Sequence, residues 1–132
     1  MTQKKILVID DDLFWHRLLK RLLTDYDVHV AASCEDGVRL AEKHRPDCIL
    51  LDFHLKDGDA VTVCAALKTE GGKPKFPVIV VSSDPEAEIT AYAECRAAYF
   101  VLKGSHTMLE LPKIVAEVLG DGGRTISWEP SR

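Results

Sequence analysis

Four short apolar runs in this chain each end on a residue able to do chemistry. Ile6-Leu7-Val8-Ile9 leads into Asp10, Asp11 and Asp12, and Cys48-Ile49-Leu50-Leu51 ends on Asp52. Pro77-Val78-Ile79-Val80-Val81 ends on Ser82, and Tyr99-Phe100-Val101-Leu102 ends on Lys103. Clustered carboxylates suit a hard divalent cation such as Mg²⁺, which takes one or two of them and completes its shell with water and phosphate oxygens. Until a cation binds, their mutual repulsion opposes ionisation. A carboxylate can also attack phosphorus to form an acyl phosphate, and Asp52 is the best-placed nucleophile. Phosphoryl transfer then needs positioning and charge neutralisation, which Lys103 as a compact cation and Ser82 as a hydroxyl donor supply. Singly, each residue has a plainer reading: a strand-end turn at Asp52, a helix cap at Ser82, a solvated charge at Lys103, and acids favouring a helix dipole at Asp10 to Asp12. Their joint placement is what argues for a site.

For these groups to meet, the strands that carry them must lie parallel, with all C-terminal ends on one edge of a sheet. Apolar runs alternate with amphipathic stretches five times, the pattern of a doubly wound α/β sheet. Strands are expected near 5–10, 27–32, 47–52, 77–82 and 98–102. A first helix near 13–24 carries Phe14, Leu18 and Leu22, with Leu19 and Leu23 beside them, as the stripe facing the sheet, and leaves Trp15 and His16 elsewhere. The second, near 35–44, follows the cap candidate Ser33 and ends before Pro46. The third spans about 59–69 and stops at Gly71-Gly72, and the fourth starts at Asp84 with Pro85 in its first turn. The fifth, near 106–119, ends at Gly120, and residues 121–132 lose all apolar period and read as a mobile tail.

At 132 residues, with 46 % hydrophobic content, the chain fits one ordinary domain, here bounded as 1–120. A net charge of -4 gives no reason to expect direct nucleic-acid binding. Cys34, Cys48, Cys64 and Cys95 are scattered and read as reduced thiols, and the five histidines show no zinc-ligand spacing. No run approaches the roughly 20 apolar residues of a membrane span, and the N-terminus does not read as a signal peptide, so a cytoplasmic protein is expected.

The segments Ile6 to Asp12, Pro46 to Asp59, Pro77 to Ser82 and Tyr99 to Lys103 together resemble the receiver domain of two-component response regulators over residues 4–119. The resemblance implies a flavodoxin-like (βα)5 three-layer sandwich whose five-stranded parallel sheet has the order 2-1-3-4-5. It implies that Asp10, Asp11 and Asp52 hold Mg²⁺ with the backbone carbonyl of His54, while Asp12 falls on a loop position. Asp52 becomes the acceptor of a phosphoryl group from a phosphohistidine on a sensor kinase or histidine phosphotransfer protein. Ser82 and Phe100 match the switch positions, whose movement reshapes the face of helix four, strand five and helix five for a protein partner. His54 and Asp84 fall on two variable positions flanking the route of a hydrolytic water. On this reading the chain is a monomer or weak homodimer that catalyses only its own phosphorylation and dephosphorylation, with output through protein contacts.

Three residues depart from the family pattern: Lys56 and Gly104 replace prolines, and Ala60 replaces a glycine. Without proline at 104, a cis peptide after Lys103 costs about 3 kcal/mol, so the loop beyond strand five is expected to differ. The lost prolines lend weight to a pseudo-receiver, a docking module that keeps the fold without using phosphate. A haloacid-dehalogenase-type phosphatase also has Asp-x-Asp after its first strand, but Leu13 stands where that family prefers Thr or Val, and no acidic pair follows Lys103. A flavin binder of the same architecture ranks last, because the acids would repel the flavin phosphate.

Overall fold

The computed structural model describes residues 3–120, so the expected tail at 121–132 lies outside the described residues. Five strands, β1 (Lys5–Ile9), β2 (Asp27–Ala31), β3 (Cys48–Leu51), β4 (Val78–Ser82) and β5 (Tyr99–Leu102), alternate with five helices. The helices are α1 (Leu13–Leu22), α2 (Cys34–His44), α3 (Ala60–Ala66), α4 (Glu88–Ala93) and α5 (Thr107–Leu119). The strands pair in parallel in the order β2-β1-β3-β4-β5, the topology expected from the sequence.

Alternate residues of each central strand feed two separate cores, because side chains point to opposite faces of a pleated strand. Leu7, Ile9, Ile49, Leu51 and Val80 pack with Ala41, Val63 and Ala91, which places α2, α3 and α4 on one face. Ile6, Val8, Leu50, Ile79 and Val101 pack with Leu19, Leu111, Ile114 and Val115, which places α1 and α5 on the other. Covered on both faces, the inner strands read as unbroken apolar runs rather than as an alternating pattern. The polar ends of those runs are the first residues to leave the sandwich.

Three expectations need correction. The face of α1 turned to the sheet is not the Phe14 stripe: Phe14 is 64 % exposed, whereas His16, Leu19 and Leu23 are buried. The Asp12 side chain accepts the Phe14 N–H as N-cap, and this start of the helix turns positions 15–16, 19 and 22–23 inward. Helix α3 ends at Ala66 rather than near 69, because Lys75 N–H bonds Leu67 C=O and Lys68 pairs with Pro74, closing a turn where another helical turn would lie. Asp84 does cap the segment after β4, but Pro85–Ala87 form a 3₁₀ turn and the α-helix begins at Glu88.

The contact of α2 with β1 requires a glycine. A Cβ on Gly37 would sit 2.6 Å from Ile9 Cδ1 and 2.9 Å from Ile9 Cγ2, and Ile9 is the residue immediately before Asp10. Gly37→Ala is therefore expected to destabilise the protein by about 1–3 kcal/mol through overpacking, despite alanine's better helix propensity. Urea unfolding would measure it, and an unchanged or higher midpoint would show that α2 can lift off β1 freely.

Candidate functional site

The C-terminal edge of the sheet gathers the polar residues. The ladder continues one residue past β1, β3 and β5: Asp10 N–H bonds Ala31 C=O at 3.0 Å, Asp52 N–H bonds Ile9 C=O at 2.9 Å, and Lys103 N–H bonds Ser82 C=O at 2.8 Å. This register sets Asp52 beside Asp10 and Lys103 beside Ser82. One carboxylate oxygen each from Asp10, Asp11 and Asp52 lies within 4.8 Å of the others, close enough to hold one metal ion. Lys103 Nζ lies between two of these acids, at 2.8 Å from Asp10 Oδ2 and 3.4 Å from Asp52 Oδ2. The Asp12 side chain instead caps α1 by accepting the Phe14 N–H.

Burial and charge pull on Asp52 in opposite directions. Desolvation and, after it, the neighbouring Asp10 push its carboxyl up to about 6, against the attraction of Lys103. A carboxylate held above its ordinary range by a like neighbour is one whose charge a bound cation would relieve. The donor set consists of hard oxygens from three acids, which fits a hard divalent cation.

Two residues of α1 that the sequence reading set aside support this cluster. His16, buried, donates from Nε2 to the Asp10 carbonyl at 2.5 Å, which fixes that nitrogen as the protonated one. Trp15 places its ring against the Lys103 ammonium, 4.9 Å from Nζ to the ring centroid, a cation–π contact. The available signal was Asp12: read as an N-cap, it turns positions three and four later toward the sheet.

The remaining candidates stand around the rim. Ser82 is buried, and its Oγ accepts the Asp84 N–H at 3.1 Å. Asp84 also accepts the Glu86 N–H and pairs with His54 Nε2 at 2.8 Å, so the two variable positions bridge the mouth of the crevice. These bonds, that from His54 first, hold the Asp84 carboxyl below its ordinary range. Phe100 does not reach the acids. It packs against the core under α2, α3 and α4, and its N–H donates to the Tyr92 hydroxyl of α4 at 2.9 Å.

Both proline replacements have local explanations. Lys56 and Asp57 form the turn between two short antiparallel segments, His54–Leu55 and Gly58–Asp59. Asp57 anchors that turn by accepting the N–H groups of Cys34 and Glu35 at the start of α2, at 2.8 and 3.1 Å, so proline rigidity is replaced by a cap. Gly104 donates its N–H to Thr107 Oγ1 at 2.8 Å, and Thr107, fully buried, donates in turn to Leu102 C=O. Proline could not make the first of these bonds. The peptide bonds here are all trans. Gly104→Pro is thus expected to cost about 1–2 kcal/mol although it restores the family's usual residue. A denaturation midpoint equal to or above wild type would contradict this.

The sequence profile of the response regulator receiver domain matches residues 6–116. The chain belongs to the receiver domain family. The receiver is 36 % identical over 85 residues to the alkaline phosphatase synthesis transcriptional regulatory protein PhoP of Bacillus subtilis, a match covering 63 % of this chain and 35 % of PhoP. It is 28 % identical over 82 residues to the chemotaxis protein CheY of Listeria monocytogenes, covering 60 % of this chain and 67 % of CheY. The receiver thus spans about a third of the length of its PhoP relative. Its fold superimposes with a TM-score of 0.75, at 20 % identity, on a structure of the CheX-CheY-BeF3-Mg+2 complex from Borrelia burgdorferi, covering 89 % of this chain and 90 % of that one. Among the described residues of the receiver no helix is long and apolar enough to cross a membrane.

Proposed function

We propose that this receiver accepts a phosphoryl group from a phosphohistidine onto Asp52 and signals the change to a protein partner. The observation that carries the reading is the single ammonium of Lys103 set between Asp10 and Asp52, inside a cluster of three acids. In the transfer, an Asp52 carboxylate oxygen attacks phosphorus as the P–N bond to the donor imidazole breaks. The bonding pair returns to the ring nitrogen, which leaves as neutral imidazole. No general base is needed, because the nucleophile is already ionised above its raised range.

Asp10, Asp11 and Asp52, with the His54 backbone carbonyl, would hold Mg²⁺, which when bound supplies charge neutralisation at the phosphoryl oxygens. Lys103 is mobile enough on its four-carbon stem to leave the Asp52 oxygen at 3.4 Å and pair with a phosphoryl oxygen instead. Ser82 uses its oxygen lone pair on the Asp84 N–H, so its hydroxyl proton is free to be donated to the phosphoryl group. Movement of Ser82 and Phe100 would pass the change to α4 and β5 as a shift between two existing states. The donor is a sensor histidine kinase or a histidine phosphotransfer protein, and the chain acts on no other substrate.

The test is intact mass after incubation with acetyl phosphate and Mg²⁺, against the same mixture with a chelator, followed by borohydride trapping to locate the acyl phosphate. One phosphoryl group on Asp52, dependent on the cation, is expected. A folded protein that takes no label from acetyl phosphate, nor from a histidine-phosphorylated donor, would instead be a docking module that works without phosphate.

A further inference from the structure

Cys64 and Cys95 lie 31 positions apart in the sequence yet line one cleft of about 210 Å³ between α3 and the turn that follows α4. Cys64 sits in the last turn of α3, partly buried against the same core cluster that contains Cys95. The two thiols act on one another side chain to side chain. This pairing holds the Cys95 thiol below its ordinary range and, with burial, drives Cys64 above it. Lys68 and Arg96 also line the cleft and favour a thiolate there, whereas Glu94 on the rim and the nearby Asp59 oppose it.

The other two cysteines differ. Cys95 is buried as they are, but the Cys34 and Cys48 thiols donate to backbone carbonyls, of Asp59 and Ile49, and burial pushes both up to about 12, the condition of inert structural cysteines.

We propose that Cys64 and Cys95 form a redox dithiol, a modification site separate from the acidic crevice, which hydrogen peroxide converts to an intramolecular disulfide. Cys95, as thiolate, attacks the O–O bond and takes one oxygen as a sulfenic acid, and the other oxygen leaves as water after protonation. The Cys64 sulfur then attacks the Cys95 sulfur, forming the S–S bond and expelling the second water. Two electrons and two protons pass from the thiols to the peroxide, and a dithiol reductant reverses the change. The bond would tie α3 to the turn that feeds β5. This inference is independent of the reading of Asp52.

The experiment exposes the full chain, in native buffer, to stoichiometric hydrogen peroxide, then blocks free thiols, digests without reduction and maps cross-links by mass spectrometry. Two of the four thiols should disappear, with a Cys64–Cys95 cross-link as the dominant product that dithiothreitol removes. The Cys34→Ser/Cys48→Ser double variant should behave as wild type, and Cys64→Ser should leave Cys95 unlinked. Cross-links that scramble among all cysteines, four thiols that survive, or over-oxidation at Cys64 without a link would each overturn the proposal. Because the map is read on wild type, a variant that fails to fold does not blunt the test.

Discussion

Asp52→Asn is expected to take no phosphoryl group from acetyl phosphate or a phosphohistidine donor and, in metal-free buffer at neutral pH, to be more stable than wild type. The loss is complete because the carboxamide that replaces the acceptor carboxylate is not a nucleophile toward phosphorus. The gain follows from linkage. The Asp52 carboxyl sits at about 6 in the folded chain against an ordinary 3.8, so the folded state binds its proton more tightly than the unfolded state does. Its contribution to stability is fully present below about pH 3.8 and is lost as pH rises through about 6. Asparagine carries no charge at any pH. The advantage of the variant should therefore grow from about pH 4 to pH 6 and then level off, at a size of about 1 kcal/mol once solvent screening at the mouth is allowed for. Taking the difference between the two proteins removes Asp57 and Asp84, whose depressed values act in the opposite sense in both. Urea midpoints across that range in the presence of a chelator would measure it. A flat difference, or a variant that loses ground with rising pH, would mean that Asp52 is not under charge strain. Saturating Mg²⁺ should reverse the order, since a ligand stabilises only the form that binds it well.

Lys103→Met should have the larger effect on stability. Its ammonium is shared by two carboxylates, and all three side chains are nearly out of solvent, at 12 % exposure for Lys103 and Asp52 and 5 % for Asp10. Removing one partner from such a group leaves the others buried and uncompensated, at a cost of about 3 kcal/mol, the low end for buried pairs because Asp52 can take up a proton. Methionine keeps the length and packing of the stem, which isolates the charge. The same substitution should tighten cation binding by roughly tenfold, because the ion no longer displaces an ammonium. Denaturation with and without Mg²⁺ and direct titration of the cation test both parts. Trp15, in contact with Lys103, gives a fluorescence signal at the site itself. Equal stability and equal affinity in the two proteins would show that Lys103 does not neutralise these acids.

The framework and the acidic cluster were legible because both rest on short-range rules. Apolar runs of strand length between amphipathic stretches define a parallel sheet, and such a sheet brings its strand ends together wherever the helices fall. The misjudged α1 face shows where those rules stop. Phe14, Leu18 and Leu22 make a better apolar stripe than the observed one, but the Asp12 cap decides the helix start and so its rotation. Burial of His16 depends on a backbone carbonyl that no periodicity reveals. The end of α3 was likewise set by pairing between Lys68 and Pro74, a contact outside the helix. The bridging of Asp57 to α2 across 23 positions and the cleft that Cys64 of α3 and Cys95 of the α4–β5 turn line together are tertiary facts with no local signature.

The Tyr92 hydroxyl has a consequence beyond α4. Strand β5 is an outer strand of the sheet, and an outer strand presents unpaired N–H groups that can template pairing with an extended segment of another chain. The Phe100 N–H points away from β4 and would be one of those donors, but the phenol oxygen already accepts it. A side chain from the covering helix thus does at this position what a lysine or proline commonly does on the strand itself: it denies a passing strand its first hydrogen bond, at the one edge of the sheet that leads into the crevice through Lys103.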